Sequence, residues 1–325
     1  MAYPPAPRIL LVKTSSLGDV LHNLPVVSDI MRHFPDAQID WLVEESFAAL
    51  PKLHPAVRSI IPVAIRRWRG KFLKASTWHE IASFRAALST RQYDFSIDTQ
   101  GLLKSALLML RAHGLRCGFD RHSAREPLAS SLYQRTFPVA TGQHAVERNR
   151  QLAAQSLGYT LQDRADFGIL PPLIARPDWF LEGSYIVLLH ATSRDDKLWD
   201  ETNWIALGRY LHGKNIRCIL PWGSEAEKKR SLRLAKAIPN AITPPRLKLK
   251  EAAFLLGSAR AVIGVDTGLN HLAAALNMPT IGIYTATDPV LTGLYASARA
   301  VNLGNIGHAP DVATVIAALQ QVAPC

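Results

Sequence analysis

At 325 residues and 48% hydrophobic, the chain is long enough for two domains that each bury a core. Thirty-seven Lys and Arg against 26 Asp and Glu give a net charge of +11, a field that attracts nucleic acid, a membrane surface or a phosphorylated substrate. No apolar run reaches the roughly 18 to 20 residues that span a bilayer, and the run after MAYPPAPR is too short for a signal-peptide core, so a cytoplasmic chain is expected. Cys117, Cys218 and Cys325 are too scattered for a disulfide framework or a metal-ligand set; they are expected to be reduced, two of them buried as small hydrophobes.

The first apolar run, residues 9–12, stops at KTSSLGDVLHNLP, Lys13 to Pro25. Ser16-x-x-Asp19 ahead of an apolar run has the spacing of a capping box. A second reading places Asp19 at a ligand cleft as a carboxylate able to accept a proton, with Ser15, Ser16 and Gly18 letting a substrate approach the backbone. A helix N-terminus favours the ionised carboxylate and weakens such a base, which still serves if proton transfer comes late. Strands are expected next at residues 39–43, 59–63 and 95–98. No acid occurs from Phe47 to His79, whereas Lys52, Arg58, Arg66, Arg67, Arg69, Lys71 and Lys74 are basic. The stretch AIRRWRGK reads as a solvated basic loop, a nucleic-acid patch or a site for anionic lipid head groups. With one tryptophan and no recognisable nucleic-acid module, the second of these is thin.

LPPLIARPDWFLEGS, residues 170–184, has three prolines and little periodicity and is read as an interdomain linker. Beyond it, strands are expected at 185–189, 217–220, 261–265 and 280–284. Alternating strands and helices predict two α/β domains with doubly wound parallel sheets, bounded at 1–172 and 173–325, the last helix being a candidate to pack back on the first domain. The turn HATSRDDKLW offers Thr192, Ser193 and Lys197 to a phosphate, or is a polar loop whose Asp195 and Asp196 pair with Arg194 or Lys197. In VDTGLNHLAAA, Asp266 or Thr267 can cap a helix, Gly268 permits close approach of an anion, and His271 follows one turn along. Three such turns at strand ends in two domains suit a cleft for two substrates, one of them anionic. The absence of G-x-G-x-x-G and of G-x-x-x-x-G-K-[ST] at the first strand argues against dinucleotide oxidoreductases and P-loop NTPases.

Taken together, VKTSSLGDVLHNLP, WLVEES, IPVAIRRWR, DTQGLLKSA, AREPLAS, HAVER, LLHATSRDDKLW, LPWGSEAE and VDTGLNHLAAAL resemble the bacterial lipopolysaccharide heptosyltransferases of glycosyltransferase family 9, nearest to their heptosyltransferase I branch. The resemblance implies a GT-B fold, two Rossmann-like domains facing across a cleft. It implies an inverting, metal-independent transfer of L-glycero-D-manno-heptose from ADP-heptose to a Kdo residue of Kdo-lipid A, peripherally at the cytoplasmic leaflet of the inner membrane, with no cofactor and no nucleic acid. On this reading Asp19 is the catalytic base and Lys197 the cation on the leaving diphosphate. Thr192, Ser193, Lys197, Asp266, Thr267, Gly268 and His271 hold the donor. The W-G motif gives Trp222 and Gly223, after which Glu225 or, preferably, Glu227 holds the ribose, and Leu247 packs on adenine. Ser15, Ser16, Gly18, Arg66, Arg67, Arg69, Lys71, Gln100 and Arg125 face the acceptor. Two alternatives stand beside it: transfer to an inner-core heptose, as by heptosyltransferase II, and a non-catalytic protein that binds anionic glycolipid or nucleic acid.

Overall fold

The computed structural model describes residues 4–162, 164–180, 183–295 and 299–324, so Leu181 and Glu182 of the expected linker, and Cys325, lie outside the described residues. The chain divides into two units, residues 1–168 and 169–325, at the N-terminal edge of the proline-rich segment. Gly168 closes the first unit at φ +61°, where a β-carbon would lie 2.2 Å from the His54 ring, so both backbone and space call for glycine.

The first unit runs β1 (Arg8–Val12), α1 (Leu17–Leu21), α2 (Leu24–His33), β2 (Gln38–Glu44), β3 (Val57–Val63), α3 (Ile65–Arg69), α4 (Ala75–Ser89), β4 (Phe95–Asp98), α5 (Leu103–Met109), β5 (Leu115–Phe119), β6 (Arg135–Phe137) and α6 (Ala145–Leu157). Its sheet has the order β3-β2-β1-β4-β5-β6, parallel throughout. Central β1 reads as an unbroken apolar run because both of its faces are covered, and Ile9 to Val12 are fully buried. Leu10 and Val12 share one core with Leu42, Met109 and Tyr133. On α2 and α6, Asp29 and Arg150 form a bidentate ion pair at 2.7 and 3.1 Å, both side chains at most 3% exposed.

The second unit runs β7 (Tyr185–Leu189), α7 (Glu201–Gly213), β8 (Arg217–Ile219), α8 (Glu225–Ala237), α9 (Leu249–Gly257), β9 (Ala261–Val265), α10 (Gly268–Ala275), β10 (Thr280–Tyr284), α11 (Pro289–Thr292), β11 (Ala300–Gly304) and α12 (Val312–Val322). Its parallel sheet has the order β11-β10-β9-β7-β8. Ile186, Leu188, Ile263 and Ile283 pack with Trp204 and Leu207 of α7 and with Val315 and Leu319 of α12. The last helix thus lays its apolar face into the core of its own unit.

All eight expected strands form. Three others, β5, β6 and β11, were not foreseen: LRCGF carries an arginine and a glycine, RTF is three residues long, and AVNLG is a half-exposed edge, so none shows a strong apolar run. Cys117 and Cys218 are buried and unbridged, and burial pushes their thiols up to about 11 and about 12.

The Asp29–Arg150 pair generates a stability prediction. Arg150→Ala leaves the buried Asp29 carboxylate only its 3.5 Å contact with Arg32 and should cost about 3–5 kcal/mol in urea denaturation, whereas the apolar pair Asp29→Leu with Arg150→Met should recover most of it. A single variant as stable as the parent would show that α2 and α6 do not rely on the pair.

Candidate active site

In the first unit the site grows from the end of β1. Val12 lies in register with Asp98 at the end of β4, so the two following loops leave side by side. Gln100, buried, accepts the N–H groups of Thr14 and Ser15 on its side-chain oxygen at 3.0 and 3.2 Å. Expected from the sequence to face the acceptor, Gln100 also lines the small pocket described below while it holds the serine turn. Asp98 is itself held by Ser105, Tyr133 and the N–H groups of Gln100 and Gly101, while burial raises its carboxyl above the ordinary range. The Ser15–Ser16 peptide is cis.

Asp19 stands at the third position of the short helix α1 and forms the capping box that its spacing predicts. Its Oδ2 accepts the Ser16 N–H at 2.9 Å, as in a capping box, while Oδ1 accepts from Arg125 Nη2 at 2.9 Å. Burial alone would raise its pKa, but Lys13, Arg125 and the Ser16 N–H outweigh burial and hold the carboxylate below its usual range. Lys13 is buried at 3% exposure, donating to the Thr99 carbonyl at 2.6 Å and to Asn149 Oδ1 at 3.2 Å. Burial brings its ammonium down to about 8, with Asp19 opposing. Beside them a small pocket is lined by Lys13, Gln100, Ser123, Arg125, Arg148 and Asn149. Arg148 is fixed there by the Ser123 and Ala140 carbonyls and by the Phe119 ring, 5.0 Å from its guanidinium carbon. Three cations, Lys13, Arg125 and Arg148, line this one pocket, a charge pattern suited to an anion.

The basic segment is less uniform than its sequence. Arg67 is engaged by Glu45 and Glu80, and Arg66 lies 5.1 Å over the Phe47 ring. Arg69 and Lys71 are exposed, with no ion pair among the described residues.

In the second unit the site grows from the ends of β7, β9 and β10. Asp266, one residue past β9, is the hub: it takes Lys197 Nζ at 2.7 Å and the Thr287 hydroxyl at 2.8 Å, with His271 Nε2 3.6 Å away. Burial works against its charge, but His271, Lys197 and Thr287 hold the carboxyl well below the usual range. Thr192 donates to the Asp266 carbonyl at 2.9 Å, tying the β7 loop to the β9 loop; Ser193 is exposed. Thr267 precedes Gly268 at the start of α10 and makes no side-chain cap, so the first N–H groups of the helix lack intrahelical partners. Glu227 Oε2 accepts the N–H groups of Gly223 and Ser224 at 2.6 and 3.2 Å, a capping box closed by Ser224 Oγ. Leu247 is half-buried in the segment before α9. Among the described residues no three His, Cys, Asp or Glu side chains converge as a metal site.

Sequence reasoning missed Lys13, Arg148, Asn149 and Thr287. Lys13 sat inside the opening motif but reads as a solvated strand-end lysine, and the polar partner that buries it lies 136 residues on.

The sequence and the fold match known proteins. The sequence profile of glycosyltransferase family 9 (heptosyltransferase) matches residues 81–319. Lipopolysaccharide heptosyltransferase 1 of Salmonella typhimurium is 48% identical over 290 residues, covering 89% of this chain and 91% of that protein. The structure of the E. coli heptosyltransferase WaaC with ADP superposes at a TM-score of 0.89 with 43% identity, over 97% of this chain and all of that one. The same enzyme with ADP-2-deoxy-2-fluoro heptose gives 0.84 and 42%, over 97% and 98%. The pair of parallel sheets, of six and five strands, is the GT-B pattern of these transferases. With a profile match over more than half its length and near-half identity along most of it, the chain belongs to glycosyltransferase family 9, the heptosyltransferases.

Proposed function

We propose that this protein transfers L-glycero-D-manno-heptose from ADP-heptose to a Kdo residue of a lipid A precursor in lipopolysaccharide inner-core synthesis, working peripherally at the inner face of the inner membrane. The observation that carries the acceptor half is the Asp19 carboxylate paired with Arg125 and acted on by Lys13, two cations that with Arg148 line the neighbouring pocket. A base beside an anion pocket suits a hydroxyl on a sugar acid, and Kdo carries a carboxylate. Similarity to heptosyltransferase 1 and to an enzyme that holds an ADP-heptose analogue supports the donor half.

On this proposal the first unit binds the acceptor and the second the donor. The Kdo hydroxyl attacks the anomeric carbon from the face opposite ADP, its proton passes to Asp19, and configuration inverts. Charge builds on the departing β-phosphate, where Lys197, the hydroxyls of Thr192 and Ser193, and the N–H groups that open α10 stabilise it. Asp266 acts through Lys197, holding the ammonium in place, and Thr287 and His271 in turn hold Asp266. With a low pKa, Asp19 suits late proton transfer, after the bond to ADP has largely broken. Arg69 and Lys71 lend their charge to the phosphorylated acceptor. The ribose falls to Glu227, whose Oε1 takes no hydrogen bond from a described residue, and Leu247 meets the adenine.

Four measurements test this reading. Kdo-bearing lipid A that lacks any heptose should accept heptose from ADP-heptose, and transfer should survive excess EDTA because Lys197 and the α10 N-terminus supply the positive charge. Transfer only to heptose-bearing cores would favour a heptosyltransferase II-like role, and EDTA loss restored by Mg²⁺ would overturn the electrostatic account.

Asp19→Asn keeps the size of the side chain and an oxygen for the Ser16 N–H, but offers no carboxylate. The variant should melt near the parent temperature, bind ADP-heptose, and turn over at least about a hundredfold more slowly. Near-normal turnover in a well-folded variant would assign the proton to another group.

Lys197→Ala removes a charged hydrogen-bond donor, worth about 1.5–3 kcal/mol against a charged oxygen. Steady-state kinetics should show the donor KM raised or kcat lowered more than tenfold, with the acceptor KM little changed. Parent-like donor kinetics would take Lys197 out of the site.

A further inference from the structure

The segment that joins α3 to α4 carries apolar surface that the transfer reaction does not use. Phe72 is 59% exposed, Leu73 85% and Trp78 60%. This exposure is built into the turn. Lys71 accepts the Lys74 N–H at 3.0 Å and the Thr77 hydroxyl at 2.9 Å, and the Thr77 N–H bonds the Lys74 carbonyl at 3.0 Å. The Trp78 indole N–H donates to the Phe72 carbonyl at 2.9 Å, so the turn satisfies its one polar group and the ring shows only apolar surface. Beneath, Trp68 packs edge-on to Phe84 at 5.9 Å and donates to Glu80, which Arg67 also grips, so α3 and α4 are tied together.

Around these three side chains the charge has one sign. Arg66, Arg69, Lys71 and Lys74 are exposed, and no acid occurs between Phe47 and His79. The flanking acids, Glu45 and Glu80, are both taken by Arg67.

We propose that Phe72, Leu73 and Trp78 form an apolar wedge that enters the head-group boundary of an anionic bilayer while the surrounding cations bind its phosphates. The inference rests on the proposed membrane-borne acceptor and names the element that meets the membrane. Large apolar side chains within a basic rim are the composition of an interfacial anchor, to which apolar burial and attraction to anionic lipid both contribute. A second copy of this chain is a poor occupant, because pairing the patch with itself sets like charges together. Nucleic acid would satisfy the cations and leave Leu73, the most exposed of the three, without a partner.

The test uses the full chain with vesicles of phosphatidylethanolamine and phosphatidylglycerol at physiological salt, read by co-sedimentation. The double variant Phe72→Ser, Leu73→Ser should partition at least about tenfold more weakly than the parent. Its melting temperature and its turnover on a soluble, acyl-free Kdo acceptor should be unchanged, and the parent should bind phosphatidylcholine vesicles at least about tenfold more weakly than the anionic ones. Vesicle binding by the double variant equal to the parent's would overturn the wedge and leave cations alone. A raised KM for the acyl-free acceptor would place the two residues in the sugar site, and loss of a dimer in sedimentation equilibrium would make the patch an interface between copies; either result overturns the proposal. Wedge-dependent vesicle binding by a parent protein that transfers no heptose would overturn the functional reading and leave the wedge standing.

Discussion

Parallel pairing at the centre of each sheet is the constraint on which the rest depends. Because β1 runs alongside β4 with Val12 opposite Asp98, and β7 alongside β9 with Leu189 opposite Gly264, every functional loop in a unit leaves from the same edge. Parallel strands cannot be joined by tight turns, so each pair is joined by a longer crossover and each strand end is followed by a loop with room for polar side chains. Lys13 and Thr99, neighbours only through that pairing, meet at 2.6 Å. Thr192 and Asp266 meet across the second sheet in the same way.

Both units then solve one electrostatic problem. A charge meant to act on a substrate must be partly removed from water, where its field is strong, yet it must not be left alone there. In the second unit Asp266 meets that need for Lys197, and the carboxylate is steadied in turn by Thr287 and His271. In the first unit Lys13 is sunk beneath the serine turn and tied to a carbonyl and an amide, so its charge acts on Asp19 without occupying either carboxylate oxygen. Such fixed charges need little reorganisation during a reaction.

How far the sequence carried this picture depended on the range of each interaction. The eight strands read from apolar runs are there, because a strand buried on both faces writes itself as such a run; β6 and β11, short or half-exposed, write nothing comparable. The site turns were legible as polar breaks at strand ends. Their internal chemistry was not. The Ser16 to Asp19 spacing left a cap and a base as alternatives; the cap forms, and the other partner of the carboxylate, Arg125 Nη2, comes from 106 residues away. Glu227 shows the same limit, since one of its oxygens caps its own helix whatever the other does. Arg67 looked like any other member of a basic run until Glu45 and Glu80 closed on it.

The Asp19–Arg125 contact carries one further consequence. An activated sugar in a wet site always has a competing nucleophile at about 55 M, and a transferase that left its base open would squander donor on water. Here one oxygen of the carboxylate holds the serine turn and the other holds an arginine. On the proposed reaction, an incoming sugar acid draws that guanidinium toward its own negative charge and so uncovers the base at the moment a legitimate hydroxyl is present. Water carries no charge with which to do the same, and the ion pair becomes a filter for the nucleophile.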